Sequence, residues 1–209
     1  DNEKVHGRPH DLKGTKIEVD VLFITAFEQH LNDLVTAIES IGISVDDVMA
    51  SPLAGSLVML TKAQKRAGCI LANIGAETVS IVVFENNTPI SLKVFPIGSN
   101  DITNDIALGL KIPLDEAEKI KRGGMTATTI PKKKLEEIIN ARLGDIFELI
   151  GLHLKKIKKD GLLPAGIILT GGGATTIGIQ ELARNTLNLP ARIATLEFGK
   201  NTKVRDASW

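Results

Sequence analysis

Tyrosine is absent, tryptophan occurs once, and aromatic residues make up only 3% of the 209 positions. Proteins that hold single-stranded nucleic acid stack its bases on aromatic rings, and this chain has few to offer. Nor is there an excess of positive charge, because 25 Lys and Arg balance 25 Asp and Glu. A formal net charge of zero removes the basic surface that supplies nucleic-acid affinity, so no nucleic-acid partner is expected. A single cysteine, Cys69, excludes an intrachain disulfide and a cysteine-built zinc site. It lies in the apolar run Gly68-Cys69-Ile70-Leu71-Ala72 and is expected to be a buried small hydrophobe in a reducing, cytosolic compartment. No run reaches the ~18 apolar residues that cross a bilayer, and the opening Asp1-Asn2-Glu3-Lys4 has no signal-peptide segment. Both ends read as cut from a longer protein.

What is present is a foldable chain, 43% hydrophobic and 24% charged. Residues 1–16 are polar and read as loop. Residues 17–24 alternate apolar and polar, then become wholly apolar, and predict a strand that ends buried. Leu31, Leu34, Val35, Ile38 and Ile41 recur at helical spacing, and Gly42 stops that helix. Residues 43–49 read as a short extended piece. Ser51-Pro52 then opens a helix predicted to run to about Arg66. Three strand-like runs follow at 69–74, 79–84 and 90–95, with links short enough for an antiparallel meander. Helices are predicted from Ser99 to Leu110, from Pro113 through Lys121, and from Thr129 or Pro131 to about Lys159. A strand at 166–170, a glycine turn, a helix from Thr176 to Leu187 and a strand at 191–195 complete the order.

Three segments could bear chemistry. Asn73-Ile74-Gly75-Ala76-Glu77-Thr78 links two buried strands. Its backbone N–H groups could form an anion-binding nest, or it could be an ordinary hairpin turn. Gly171-Gly172-Gly173 follows an apolar strand and precedes a helix, which would let a ligand approach the backbone or simply ease the turn. It is not a P-loop, since Ile179-Gln180 stand where Lys-Ser/Thr belong. Glu118 and Lys121, three apart on one helix, read in isolation as a solvent-exposed ion pair. His6 and His10 sit in a segment with Gly and Pro, His30 and His153 are isolated, and no catalytic triad assembles. The lysine runs 132–134 and 155–159 read as solvated faces or as a surface for an acidic partner.

Taken together, these pieces resemble the FtsA family of bacterial cell-division proteins, actin-like adaptors of FtsZ. The resemblance rests on residues 14–21, on 73–81, on 96–107 with Glu116-Ala117-Glu118-Lys119-Ile120-Lys121, and on 165–174. It implies an α/β fold: a ribonuclease-H-like actin half, a mixed sheet with an antiparallel meander. It further implies a tail of the family's insertion subdomain at 1–44, the second large subdomain at 45–98 and 161–209, and a mainly helical inserted subdomain at 99–160. In such a protein ATP with Mg²⁺ lies between two halves. Gly75, Ala76, Glu77 and Thr78 would touch phosphates, Glu118 and Lys121 would line the nucleoside, and Gly171, Gly172 and Gly173 would pack on adenosine. Only half of that site would lie in this chain.

The same resemblance implies self-association into filaments, contacts with other divisome proteins, and binding of the FtsZ C-terminal peptide. The helix from Pro131 to Lys159 offers that peptide an apolar stripe, with Arg142 at its edge either pairing with a peptide carboxylate or only snorkelling over apolar surface, and Lys132 nearer the solvated end. The protein would sit at the inner face of the cell membrane through a segment outside this chain. Three departures stand out: Asn73 replaces an Asp that would hold a Mg²⁺-bound water, and Ala76 and Glu77 replace glycines. A carboxylate at 77 would repel phosphate, so at most a weak ATPase is expected in the full-length protein. The pilus-assembly actin homologue PilM, and a sugar-kinase-type enzyme of the same superfamily, are the alternatives.

Overall fold

The computed structural model describes residues 16, 18–19, 21–124 and 131–195. The loop at 1–15, His6, His10 and the helix start at Thr129 lie outside the described residues.

The centre of the sheet is built from strands that are buried on both faces. β1 (Cys69–Ile74), β2 (Val79–Glu85) and β3 (Thr88–Phe95) form the antiparallel meander, and β4 (Ile167–Thr170) and β5 (Ala191–Ile193) add parallel to β1. The order across the sheet is β3-β2-β1-β4-β5. Asn86 and Asn87, at φ 52° and 65°, make the tight β2–β3 turn, a conformation asparagine tolerates better than most residues. Alternation then sorts side chains by face. Ile70, Ala72, Ile74, Ile81, Val83, Ile167 and Leu169 point to one core, and Cys69, Leu71, Val82, Phe84 and Ile168 to the other.

The first core is covered by helices. α4 (Ser99–Leu110) contributes Ile102 and Ile106, and α7 (Ile179–Leu187) contributes Ile179, Ala183 and Leu187. α6 (Lys132–Lys156) contributes Ile139, Leu143, Ile146, Phe147, Ile150 and Leu154. The 3- and 4-residue spacing along α6 is thus explained by burial against the sheet and its neighbours. α5 (Leu114–Lys121) packs beside α4 and buries Ala117 and Ile120. The second, smaller core is closed by Leu53, Met59 and Leu60 of α2 (Ser51–Met59) and the residue after it.

The N-terminal portion departs from expectation. Residues 21–27 form no strand, and Val21, Phe23 and Phe27 stand 61%, 82% and 79% exposed. A strand persists by pairing with a neighbour, and none lies beside this segment among the described residues. α1 (Glu28–Glu39) keeps its helical period but buries no residue. The single helix expected from Ser51 to Arg66 is two, because Leu60 turns extended and Thr61 starts α3 (Lys62–Ala67). Gln64 N–H donates to Thr61 Oγ1 while Thr61 N–H donates to Gln64 Oε1, a capping box that the sequence spells out. Similarly, Gly172–Thr175 forms a 3-10 turn and delays α7 to Ile179.

Candidate functional site

Asn73 lies opposite Thr170 in the parallel β1–β4 pair. The C-terminal ends of the two strands therefore emerge side by side, which is where open α/β sheets hold ligands. Gly75-Ala76-Glu77-Thr78 leaves β1 at that edge and Gly171-Gly172-Gly173 leaves β4.

The β1–β2 turn is closed by Gly75 N–H donating to Thr78 O at 2.9 Å, with Ala76, Glu77 and Thr78 exposed. Its other side is fixed by the start of α4. Ser99 N–H donates to Gly75 O at 2.9 Å and Asn100 N–H to Ala76 O at 2.8 Å. Gly98 makes this docking possible, because a Cβ there would lie 2.3 Å from Ala76 O. Asp101 accepts from Gly98 N–H at 2.8 Å, placing a carboxylate at the positive end of α4.

The glycine turn presses on the end of β1. Gly171 sits at φ +88°, and a Cβ there would lie 2.3 Å from Asn73 Oδ1. A Cβ at Gly173 would lie 2.4 Å from Ile74 Cγ2, whereas nothing comes within 4 Å of one at Gly172. Gly172 is thus the outward residue of the turn.

Glu118 and Lys121 are not a solvated pair. Lys121 is 8% exposed, and its Nζ donates to Ser99 O at 3.0 Å, to Thr103 Oγ1 at 2.8 Å and to Glu118 Oε2 at 2.6 Å. Thr103 Oγ1 donates to Glu118 Oε2 at 2.5 Å, and Arg122 Nε donates to Glu118 Oε1 at 2.7 Å. Burial alone would raise the Glu118 carboxyl pKa. The hydrogen bonds from Lys121, Thr103 and Arg122, with the charge of Lys121, outweigh it and hold the group down at about 2. The isolated i,i+3 reading failed because spacing cannot reveal what another helix brings; Ser99 and Thr103, one turn apart on α4, supply the missing partners. Neither residue was singled out from the sequence, although Gly98-Ser99 at a helix start and Thr103 four residues on were visible signals.

All three segments therefore meet at one end of the sheet. The 75–78 turn touches α4, α4 is gripped by Lys121, and the 171–173 turn lies on Ile74. Arg142 and Lys132 are elsewhere, on α6. Arg142 binds Asp105 of α4 with both prongs, Nε to Oδ2 at 2.7 Å and Nη2 to Oδ1 at 3.0 Å, and also reaches Asp145. Lys132 is 88% exposed, with Glu136 3.7 Å away. An open concavity of about 470 Å³ lined by Thr176, Ile177, Gly178, Arg184 and Ile193 includes none of these residues. Among the described residues no group of three His, Cys, Asp or Glu could hold a metal ion, and no helix is long and apolar enough to cross a membrane.

A family model described as cell division protein FtsA matches residues 70–209. The cell division protein FtsA of Borreliella burgdorferi is 33% identical, over 90% of this chain and 52% of its own. That of Bacillus subtilis is 30% identical, over 91% of this chain and 48% of its own. This chain thus spans about half the length of these curated relatives. In fold it is similar to MreB 5 of Spiroplasma citri bound to AMPPNP, with TM-score 0.70, 16% identity, and coverage of 81% of this chain and 60% of that one. It is also similar to a chain of the PilM-PilN type IV pilus biogenesis complex, with TM-score 0.67, 22% identity, and coverage of 81% and 48%.

Proposed function

The chain belongs to the family of cell division protein FtsA, and from that premise we propose that it serves an ATP-binding, self-assembling scaffold that ties FtsZ to the cytoplasmic membrane at the division site. The nucleotide part of this reading is carried by one observation, the meeting of the 75–78 turn, the 171–173 turn and the Glu118–Lys121 helix at the C-terminal ends of β1 and β4. The exposed turn at 76–78 suits phosphate oxygens, and the open space over Gly172 suits the flat face of a base. Gly75, Ala76, Glu77 and Thr78 would hold the phosphates, Gly171, Gly172 and Gly173 would face adenosine, and Glu118 and Lys121 would border the nucleoside.

Mg²⁺, arriving with the nucleotide, would take most of its ligands from phosphate oxygens and water and would neutralise phosphate charge. Such a metal also answers the carboxylate of Glu77, which by itself opposes phosphate. Asn73 offers an amide oxygen and no charge, which fits a site that binds nucleotide more readily than it hydrolyses it.

The FtsZ C-terminal peptide would dock along the outward side of α6. Lys132 offers an exposed ammonium paired, among the described residues, only with Glu136 on its own helix, and Arg142 a guanidinium for which peptide carboxylates compete with Asp105. Titrating fluorescent ATP and a labelled FtsZ C-terminal peptide into the full-length protein tests both halves. Saturable binding of each, with the peptide weakened by Lys132→Glu and Arg142→Glu, is expected. Absence of ATP binding in the presence of Mg²⁺ would end the nucleotide reading, and equal peptide affinity in all variants would move the peptide site off α6.

A further inference from the structure

β5 ends the sheet, and among the described residues no strand pairs with its outer side. Its pairing with β4 shows which backbone groups are free. Ile167 N–H donates to Pro190 O and Ala194 N–H to Leu169 O, so Pro190, Arg192 and Ala194 turn toward β4 while Ala191 and Ile193 turn away from it. On that outer side, Ala191 O accepts from Gln180 Nε2 of α7 at 3.0 Å. A side-chain amide thus stands where the N–H of a further strand would stand. The edge also faces a groove. Two open concavities, of about 470 and 510 Å³, lie along the junction of β5 with α7 and share Arg184. Ile177 and Ile193, 66% and 44% exposed, line the first, and Pro190 and Ala191 line the second. Ile193 lies on the α7 side of the sheet, as does its register partner Leu169. Arg184 is exposed and pairs with no carboxylate among the described residues, and the same holds for Arg192 on the opposite face of β5. Glu181 is the one acidic residue that lines either concavity.

We propose that this groove docks an extended acidic segment of a partner protein, which adds as a further strand to the outer edge of β5. Backbone groups of Ala191 and Ile193 would pair with the incoming strand. Residues two apart on that strand face α7 together, one apolar against Ile177 and Ile193 and one acidic against Arg184, whose guanidinium takes a carboxylate with two parallel bonds. The residue between them faces Arg192. Main-chain bonds to a strand as short as Ala191–Ile193 are few, so the two arginines and the apolar contact select the partner. Neither the turns at 75–78 and 171–173 nor α5 nor α6 contributes to these concavities.

The test uses full-length protein and a labelled peptide of repeating Val-Glu-Glu, with repeating Val-Lys-Lys as its opposite. The acidic peptide is expected to bind about tenfold tighter or more, to lose about tenfold in Arg184→Glu, and to lose as much when alternate peptide amides are N-methylated. Its binding should slow hydrogen exchange at the Ala191 and Ile193 amides. Equal affinity for the two peptides overturns the proposal, and so does indifference to N-methylation, which would mean that no strand is added. Displacement of the peptide by ATP would assign it to the nucleotide site, and a loss in Lys132→Glu with none in Arg184→Glu would assign it to α6. Either result overturns the groove. Reduced sedimentation of self-associated protein in Arg184→Glu, with peptide affinity unchanged, overturns it in favour of a second copy of the chain.

Discussion

Arg142 on α6 and Asp105 on α4 form a two-pronged ion pair, with N–O distances of 2.7 and 3.0 Å. The pair joins the two helices at the rim of the core, above the buried contact of Ile102 and Ile106 with the α6 stripe. Both side chains are only about 30% exposed, at 30% and 28%, so the pair is better shielded than a typical surface bridge. Arg142→Ala is therefore expected to lower stability by roughly 1–2 kcal/mol, while Lys132→Ala changes it by less than about 0.5 kcal/mol. Urea denaturation of both variants checks this. A neutral Arg142→Ala would mean that the pair contributes no net stability.

Acid should weaken the fold through Glu118. Its carboxyl titrates at about 2 in the folded chain against an ordinary 4.5, so the unfolded state binds more protons between those values. Stability from this group is complete above pH 4.5 and is lost as pH falls through about 2. Glu118→Gln should flatten that segment of the stability curve. Urea midpoints measured from pH 6 to pH 2 decide it, and parallel curves for the two proteins would sink the assignment.

His153 gives a second, higher window. Its Nε2 lies 2.8 Å from Ser91 Oγ, its ring meets Phe95 edge-on, and burial followed by Lys93 and Lys156 lowers its pKa below the ordinary 6.5. The folded chain thus resists protonating this imidazole. Stability is complete above pH 6.5 and falls as pH drops through the depressed value. His153→Gln, which can keep a hydrogen bond to Ser91, should remove the dependence that sets in below pH 6.5, as read by thermal melts.

The sheet was largely legible in the sequence because its central strands are buried on both faces and short, polar turns join the meander. Cys69, expected to be buried, is buried in the second core. Burial raises its thiol pKa to about 11, consistent with a packing role. The N-terminal strand was misread for a physical reason: the apolar run of residues 21–24 marks where a strand could pair, and pattern cannot say whether a partner is present. The break at Leu60 was legible in the Thr61–Gln64 capping pair but was masked by the apolar run Leu57-Val58-Met59-Leu60 before it. The site divides in the same way. Its glycines stood out, being consecutive after a strand, whereas the Lys121 network joins residues 22 and 18 positions apart in the chain. No local period encodes such contacts.

Gly98 and Gly172 provide the sharpest test of how the candidate site is built. Both are glycines beside proposed phosphate or base contacts, and sequence alone does not rank them. In the fold they differ completely. A Cβ at Gly98 would lie 2.3 Å from Ala76 O and 2.7 Å from Glu77 N, both backbone atoms that cannot swing aside. A Cβ at Gly172 meets nothing within 4 Å. Gly98→Ala must therefore push α4 off the 75–78 turn, stretching the Ser99–Gly75 and Asn100–Ala76 hydrogen bonds, at a cost of roughly 1–3 kcal/mol. Gly172→Ala should leave stability within about 0.5 kcal/mol of the unsubstituted chain. It should still weaken nucleotide binding, because the new methyl group occupies the space proposed for the base. The two variants thus predict opposite patterns: a lowered urea midpoint for Gly98→Ala, and an unchanged midpoint with reduced ATP affinity for Gly172→Ala. Equal midpoints for both would show that the α4 start is not held against the turn as described. Unchanged ATP affinity in Gly172→Ala would place the base away from the glycine turn.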